Sequence, residues 1–344
     1  PSAIRYPDTA TTLRCGSNCA AGRHRLGLRR AHRSAPNPIG PYSPTSLTDW
    51  SSGHERASRL VSDTTRNIGR DMSVRYTQVK KLGTADEFRE HCADLGVEIP
   101  IDDSVDPNGV LADPVAIGDA AAGTLTAPNR FAVLPMEGWD GTTDGRPTDL
   151  VRRRWRRFGA SGCGLVWGEA TAVRADGRAN PNQLILDERT VDEIAELRQL
   201  LDPTQVTGLQ LTHSGRWSRP DGAPIPRTAY AHPLLDQRVG VDARAVFSDD
   251  ELDELAERYI AAAVLAQHAG FDFVDVKHCH GYLLHELLTG YEREGRFGGD
   301  LHGRTEFLRT VVTGIRERAP GLAIAVRLSA FDLVPFVPGD GGVG

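Results

Sequence analysis

The segment FDFVDVKHCHGYLLHELL, residues 271–288, places a cluster of ionisable side chains directly after a strand. Its apolar first part predicts a strand over residues 271–278, and strand side chains alternate between the two faces of a sheet. Phe273, Asp275 and Lys277 are therefore expected on one face, with Lys277 the last of them. The carboxyl end of this strand is the first candidate for a functional site.

Three kinds of site could use the triplet His278-Cys279-His280. A zinc site needs three or four convergent ligands, yet neighbouring strand residues point to opposite faces, and the chain has no HExxH motif and no paired CxxC. A cysteine nucleophile needs a partnered base, and a small buried thiol is the commoner state. We favour a third kind of site, in which Lys277, His280 and Tyr282 bind a substrate oxygen and donate a proton.

A structural role for the same residues stays open on the chemistry alone. Lys277 could pair with Asp275 inside the sheet, and Tyr282 could simply pack on the helix that follows. His285 is expected on that helix, and we assign it no role.

Outward from this segment, short apolar strands alternate with helices. We predict strands at residues 129–135, 164–169, 206–213, 271–278 and 321–330. We predict helices from 84 to 96, from 149 to 158, from 190 to about 201, from 248 to 270 and from 305 to 318, with caps at Thr84, Thr190 and Ser248. This alternation indicates an α/β fold with a parallel sheet and crossover connections.

Polar residues follow the ends of these strands, as is typical of a TIM (β/α)8 barrel. They are Glu137, Glu169, His213, the triplet 278–280 and Arg327. No Gly-rich dinucleotide fingerprint follows any strand, which disfavours a Rossmann fold. Because about five strand–helix units are recognisable where a barrel has eight, we expect an incomplete TIM barrel, the N-terminal part of a longer domain.

One long connection separates the third strand from the next helix. The segment from Ser214 to Phe247 is rich in Pro and Gly and looks too polar and broken to be core. Loops of this length usually act as lids or binding loops. We expect this lid to set the choice of substrate.

The bulk composition favours a soluble globular protein of the cytoplasm. With 40% hydrophobic and 25% charged residues, the chain has no apolar run near the roughly 18 residues of a membrane span. Five scattered cysteines disfavour a disulfide framework and fit a reducing compartment. Residues 1–71 carry +6 of the net charge of −6, so residues 72–344 carry −12, which argues against nucleic acid as a partner. No pattern indicates an oligomeric state.

Residues 1–71 differ from the rest of the chain. They contain eleven Arg and no Lys, are rich in Ser, Pro and Gly, and show no apolar periodicity. Such a segment cannot bury enough apolar surface to offset the entropy lost on ordering, so we expect disorder. It could be a transit peptide, a nucleic-acid-binding tail, or non-native sequence upstream of Met72, and we favour the last. Residues 72–344 would then form the N-terminal part of the barrel.

Five groups of segments carry a family resemblance. In chain order they are LADPVAIGD with NRFAVLPMEG, then GLVWGEATAVRADGRANPNQ, GLQLTHSGR, FDFVDVKHCHGYLLHELL with GRFGGDLHGRTEF, and AVRLSA. Together they resemble the Old Yellow Enzyme family, the FMN-dependent NAD(P)H:flavin oxidoreductases. The resemblance covers roughly residues 111–332 and implies a barrel that binds FMN and uses NADH or NADPH.

The resemblance implies roles for individual residues toward the flavin. Pro135 and Met136 would line the flavin through backbone groups, with Glu137 directly after them. Ala170 would let the ring approach closely, and Gln210 would hydrogen-bond its pyrimidine edge. Separately, Arg327 would place a positive charge beside N1 and O2 of the ring.

The resemblance also implies a reaction. NAD(P)H would reduce the flavin, and the flavin would pass a hydride from N5 to the β-carbon of an activated alkene. Lys277 and His280 would bind the carbonyl or nitro oxygen of the substrate, and Tyr282 would protonate its α-carbon. The alternatives within the same resemblance are a flavin-dependent amine dehydrogenase or demethylase, and an inactive truncated gene product.

The sequence departs from the family pattern at three positions. Lys277 stands where better-known members have His, and Gly303 where Asn is usual. Glu137 stands where Thr or Cys commonly tunes the flavin, and a carboxylate there would disfavour an anionic reduced flavin unless it is protonated or paired. The family holds the FMN phosphate in loops after strands seven and eight, which we do not find before Gly344. We therefore expect the 344-residue chain to bind FMN poorly and to expose a sheet edge.

Overall fold

A computed structural model describes residues 77–118 and 123–330 of the chain. The expected disordered or non-native extension, residues 1–71, lies outside these ranges. The chain divides into two units, residues 1–83 and 84–344. In its described part the first unit contains a 3-10 turn, Val79–Lys81, and the second unit holds everything considered below.

The second unit opens with helix α1, Ala85–Asp94. The Thr84 side chain accepts a hydrogen bond from the backbone N–H of Glu87 at 3.1 Å, which confirms the predicted cap. An antiparallel hairpin follows, formed by β1, Val115–Ile117, and β2, Leu125–Ala127. The sequence analysis missed this hairpin, because three-residue strands are too short to show a period.

The predicted strands and helices follow in the predicted order, and the structure adds a strand, β5 Ala170–Ala172, and a helix, α4 Pro233–Val239, that were not predicted. The elements are β3 Ala132–Val133, α2 Asp149–Gly159, β4 Leu165–Val166, β5 Ala170–Ala172, α3 Val191–Gln199, β6 Val206–Thr212, α4 Pro233–Val239, α5 Asp249–His268, β7 Phe273–Val276, α6 Leu283–Leu288, α7 Leu301–Arg318 and β8 Ala323–Ala325. The strands are shorter than predicted. Helix α7 begins at Leu301 rather than Thr305, because the Asp300 carboxylate accepts the backbone N–H of Gly303 at 2.9 Å and caps the helix there.

The strands of the main sheet are parallel and follow the order β3-β4-β6-β7-β8, with β5 also paired to β6. Strands β4 and β5 lie one after the other along β6. Gly168 separates them with a φ of +58°, and a Cβ at this position would lie 2.2 Å from the carbonyl oxygen of Gly208. Only glycine fits such a close approach. The sheet thus supplies five adjacent strand positions, which confirms the predicted α/β fold with about five units of a TIM barrel.

The two faces of the sheet bury different partners. On the outer face Leu209, Leu211, Val274 and Val276 pack against the helices. The helix residues of this core include Val151, Trp155, Ile194, Leu197, Leu255, Tyr259, Phe307, Val311 and Ile315. Full burial of one such side chain stabilises the fold by roughly 1.5–3 kcal/mol.

The inner face holds a smaller apolar cluster near the amino ends of the strands. Val206, Phe273 and Ala323 pack there with Ala127 of the hairpin. The Trp167 ring meets the Phe273 ring edge-on at 5.4 Å between centroids. Polar side chains lie at the carboxyl ends of the same strands. They are on the same inner face, which is the face predicted for Phe273, Asp275 and Lys277.

Two predictions about connections are wrong in detail. Thr190 does not cap α3, because its hydroxyl donates to the carbonyl of Ile185 at 2.7 Å and accepts from the backbone N–H of Asp187 at 3.1 Å. The segment from Ser214 to Phe247 is not all outside the core, since it contains α4 and buries Arg216 and Phe247. The charge of Arg216 is tolerated in the interior because Glu286 and Asp236 both pair with it.

Among the helices of the described ranges, none has the length and apolar character that crossing a bilayer requires.

Candidate active site

The carboxyl ends of the central strands carry a row of polar side chains on the inner face. Gln210 of β6 is in register with Asp275 of β7, and Asp275 is in register with Ala325 of β8. Lys277 lies two residues beyond Asp275 and Arg327 two residues beyond Ala325, so both remain on this face. Gln210, Asp275 and Lys277 are buried.

Glu137 is the centre of a hydrogen-bonded cluster at this end of the sheet. Its Oε1 lies 3.0 Å from Nζ of Lys277, and the Tyr282 hydroxyl donates to both carboxylate oxygens at 3.0 Å. The Trp139 indole N–H donates to Oε2 at 2.9 Å. Nζ of Lys277 also lies 4.0 Å from the centroid of the Tyr282 ring. The carboxylate that the sequence left unexplained is therefore paired with Lys277 and Tyr282, two of the three residues predicted to be catalytic.

A second carboxylate, that of Glu169, holds the turn that carries Glu137. Glu169, which is buried, accepts the backbone N–H of Gly138 through Oε1 at 2.9 Å. Its Oε2 accepts from the Arg154 guanidinium at 2.8 Å and from the Trp155 indole at 3.2 Å. Glu169 thus serves as structural support for this turn.

Backbone strain marks the same region. Within residues 77–118 and 123–330, the two non-glycine residues with positive φ are Trp139, at 51°, and His280, at 64°. Left-handed backbone costs an ordinary residue roughly 1–2 kcal/mol. Strain of this kind clusters at functional sites, and here one strained residue bonds Glu137 while the other follows Lys277 by three positions.

Electrostatics keep the phenol and the imidazole of the site neutral. Burial, reinforced by the Glu137 carboxylate, raises the pKa of Tyr282 well above its usual value of 10. Partial burial, with the positive charges of Lys277 and Arg327, lowers the pKa of His280 from 6.5. Tyr282 is therefore a protonated donor at neutral pH, and His280 an uncharged imidazole.

The Asp275 carboxylate lies beside the Glu137 cluster. Asp275 is completely buried, and its Oδ2 accepts from the Gln210 amide at 2.5 Å and from the Trp167 indole at 3.0 Å. Its Oδ1 accepts the backbone N–H of Arg327 at 2.7 Å. Burial raises the pKa of Asp275, and the three donors oppose that shift. The structural Lys277–Asp275 pair considered from sequence does not form, because Lys277 turns to Glu137.

The sequence analysis missed what Asp275, Trp139 and Trp167 do. The strand alternation placed Asp275 on the inner face, which was the available signal. Nothing local in the sequence could pair it with Gln210, which is 65 positions away.

The predicted flavin contacts also converge on this end of the sheet. The carbonyl oxygen of Pro135 accepts from the Arg327 guanidinium at 3.4 Å, and the carbonyl of Met136 accepts the backbone N–H of Ala170 at 3.0 Å. Ala170 is buried, whereas Met136 is 53% exposed.

These groups fit a flavin ring. Gln210 donates its N–H to Asp275 and so keeps a carbonyl acceptor for a ring N–H. Arg327 makes one long side-chain hydrogen bond within the described residues and keeps further donors for a ring oxygen or a developing negative charge.

Within the described residues, His278 and Cys279 take no part in the Glu137 cluster. His278 is buried, with its Nδ1 2.7 Å from the carbonyl oxygen of Val276, and burial lowers its pKa to about 4. Burial raises the pKa of the Cys279 thiol, so it stays protonated. His280 is the exposed residue of the triplet, and its backbone N–H donates to the Ser329 hydroxyl at 3.2 Å. No group of three or more His, Cys, Asp or Glu in the described ranges is arranged for a metal ion.

A parallel barrel-type sheet in which buried Lys277 contacts Glu137 and Tyr282 at the carboxyl ends of the strands is typical of an α/β-barrel enzyme. Residues 111–337 match the family model of the NADH:flavin oxidoreductase / NADH oxidase family, and the chain belongs to this family. The resemblance to the Old Yellow Enzyme family is thereby confirmed. FMN and NADH or NADPH, the predicted cofactors, are those of the family, and NAD(P)H:flavin oxidoreductase is its class of enzyme.

Individual proteins show the same relationship. An NADPH dehydrogenase of Geobacillus sp. (strain WCH70) is 30% identical over 216 residues, which are 61% of this chain and 62% of that protein. The structure of an Old Yellow Enzyme homologue from Zymomonas mobilis is similar with a TM-score of 0.54 and 24% identity, over 64% of this chain and 63% of that one. A histamine dehydrogenase from Rhizobium sp. 4-9 has the same fold with a TM-score of 0.54 and 22% identity, over 65% and 33%. The chain thus spans less than two thirds of the length of these proteins.

Proposed function

We propose that this protein is an FMN-dependent oxidoreductase that takes electrons from NADH or NADPH and reduces an activated alkene or a similar small-molecule acceptor. The observation that carries the proposal is the contact of Lys277, which is buried, with Tyr282 and with Glu137 at the carboxyl ends of the strands. The cytoplasmic location expected from the sparse cysteines is part of the same proposal.

FMN, when bound, would supply the centre that accepts and donates a hydride. The backbone of Pro135 and Met136, the side chain of Gln210 and the guanidinium of Arg327 would hold its ring against Ala170. Arg327 is the one cation in this set, and its charge would stabilise negative charge on the ring.

Lys277 and His280 are the proposed donors to the oxygen of the substrate. Nζ of Lys277 has three N–H donors, and Glu137 and the Tyr282 ring occupy only part of its surroundings. Polarisation of a carbonyl or nitro group by these donors would make the double bond a better hydride acceptor. His280, which is exposed, would give the substrate a second donor.

Tyr282 is the proposed proton donor. Its raised pKa keeps the proton on the oxygen until a strongly basic carbon is formed next to it. When the proton leaves, the adjacent Lys277 ammonium would stabilise the phenolate, whereas Glu137 would oppose it. The balance between these two charges would set the rate of proton delivery.

Glu137 also favours a second candidate, the oxidation of an amine. A carboxylate that accepts the Tyr282 hydroxyl can take a proton through it, which suits the removal of hydrogen from a substrate rather than its addition. A carboxylate at the site would also attract a substrate ammonium group. Since one neighbour of the same fold is named a histamine dehydrogenase, the fold is compatible with such chemistry.

Anaerobic reduction of the flavin separates the two functions. A protein that contains this chain within a complete barrel, called the full-length protein below, is loaded with FMN and mixed with NADPH or with trimethylamine while the flavin absorbance is followed. We expect bleaching with NADPH and recovery of the absorbance on addition of 2-cyclohexen-1-one. Bleaching by the amine and not by NADPH would overturn the first proposal and support the second.

A further inference from the structure

We propose that Asp275 is a positioning residue for the flavin ring, which acts by fixing the side-chain amide of Gln210 with its carbonyl oxygen available to a ring N–H. The inference rests on the proposed function, because the ligand it concerns is the flavin. It concerns a residue that makes no contact with substrate and lies behind those that would hold the cofactor.

The register of the sheet brings the residues together. Ala170, Gln210, Asp275 and Ala325 form one row across four neighbouring strands. Asp275 occupies the position between Gln210 and the strand that leads to Arg327. It binds the side chain of Gln210 through Oδ2 and the backbone N–H of Arg327 through Oδ1. One carboxylate therefore ties together two residues proposed to contact the same ring.

The hydrogen bond to Asp275 fixes the orientation of the Gln210 side-chain amide. A carboxylate only accepts hydrogen bonds, so the group of Gln210 that faces Asp275 is the NH2 group. The carbonyl oxygen Oε1 then remains, and no hydrogen bond to it is found within the described ranges. The pyrimidine edge of a flavin carries an N–H between two carbonyl groups, and an acceptor is what that N–H requires. A flipped amide would instead oppose one donor with another.

An amide in place of Asp275 could not keep this arrangement. The two oxygens of Asp275 accept from three N–H groups, of Gln210, Trp167 and Arg327. Asparagine has one oxygen, so its own NH2 group would face either the backbone of Arg327 or the pair of side chains. Burial makes an unmatched donor expensive, because no water replaces the lost partner. Gln210 would then be free to turn its oxygen toward Asn and its NH2 group toward the ligand.

Asp272 provides a matched control in the same pair of strands. Its Oδ2 accepts from the backbone N–H and the hydroxyl of Thr207, both at 2.8 Å, and so links β7 to β6 at their amino ends. The carboxylates of Asp272 and Asp275 are alike in joining the two strands. They differ in that only Asp275 lies at the end proposed to hold the flavin.

A double-mutant cycle tests whether Asp275 acts through Gln210. The affinity of the full-length protein for FMN is measured by fluorescence quenching for wild type, Asp275→Asn, Gln210→Leu and the double variant. Loss of one hydrogen bond predicts binding about five- to tenfold weaker in either single variant. We expect the double variant to be no weaker than Gln210→Leu alone. Asp272→Asn should lower thermal stability and leave FMN affinity unchanged.

The outcomes separate this inference from the proposed function. If wild type binds FMN but Asp275→Asn binds it equally well, or weakens it to the same extent with and without Gln210, Asp275 is only structural and the inference is wrong. If wild type binds no FMN, the proposed function fails, and the inference fails with it.

A readout without cofactor covers the case that Asp275→Asn does not fold. In the 15N-labelled, flavin-free protein, the Gln210 side-chain amide, assigned by its absence in Gln210→Leu, should show one proton shifted downfield and protected from exchange. A Gln210 amide that exchanges like an exposed side chain would overturn the inference on the wild-type protein alone.

Discussion

Replacing Glu137 by Gln removes the one charge that joins Lys277, Tyr282 and Trp139. The side chain of Lys277 is 3% exposed and that of Glu137 10%, so water screens their interaction only weakly. Glutamine has nearly the same shape and can still accept one hydrogen bond. The substitution therefore tests the charge rather than the packing.

The loss of stability expected for Glu137→Gln follows from the 3.0 Å separation of Lys277 Nζ and Glu137 Oε1. At an effective dielectric constant of about 20, two unit charges at this distance attract by roughly 5 kcal/mol. Removing one partner of a buried pair leaves the other charge uncompensated and typically costs about 3–5 kcal/mol. Because Gln keeps an acceptor, we expect a loss near the lower end, about 3 kcal/mol in the free energy of unfolding.

Urea denaturation followed by circular dichroism measures this loss. Asp253→Asn is the matched control, because its pair with Arg296 is about half exposed on both sides and should contribute less than about 1 kcal/mol. NMR titration of labelled tyrosine provides a second readout, since the pKa of Tyr282 should fall when the neighbouring carboxylate is removed. A variant as stable as wild type with an unshifted Tyr282 pKa would refute the account of this cluster.

Three further substitutions test separate parts of the structure. Lys277→His should lower the turnover of 2-cyclohexen-1-one roughly tenfold by removing a charge-assisted donor, and unchanged rate and affinity would mean that Lys277 is structural. The pKa of His278 is about 4 in the folded state against 6.5 in the unfolded state, so the free energy of unfolding should fall by up to ~3 kcal/mol as the pH drops from about 6.5 to about 4. His278→Gln should flatten this part of the curve of stability against pH. An unchanged slope would contradict the lowered pKa of His278. Gly168→Ala should lower the free energy of unfolding by at least ~2 kcal/mol and so lower the melting temperature, because it combines a positive φ with a Cβ 2.2 Å from the oxygen of Gly208. An unaffected melting temperature would show that the backbone between β4 and β5 adapts to the added methyl group.

The order of elements could be predicted from the sequence because each strand and helix has a local signature. The capping box at Ser248 and Glu251 is present in full, and α5 begins where it predicts. Hydrophobic alternation placed Phe273, Asp275 and Lys277 on one face. Strand lengths and the β1–β2 hairpin could not be predicted, because strand boundaries depend on pairing partners far along the chain.

Local sequence patterns could not identify the hydrogen-bond partners of the site residues. Glu137 and Tyr282 are 145 positions apart, and only the fold brings the carboxylate to the phenol. The sequence supplied the chemistry of each side chain and, through the family resemblance, its proposed role. It could not show that Lys277 would choose Glu137 over Asp275, because that choice depends on the three donors that already surround Asp275.

The central claim is that Tyr282 delivers the proton at a flavin site, and stopped-flow measurement of the two half-reactions in Tyr282→Phe tests it most directly. Removing the hydroxyl should leave the rate of FMN reduction by NADPH within about twofold of wild type. The rate at which 2-cyclohexen-1-one reoxidises the flavin should fall by about 10²–10⁴-fold, the usual contribution of a general acid. Reoxidation at the wild-type rate, or an equal loss in both half-reactions, would contradict the account.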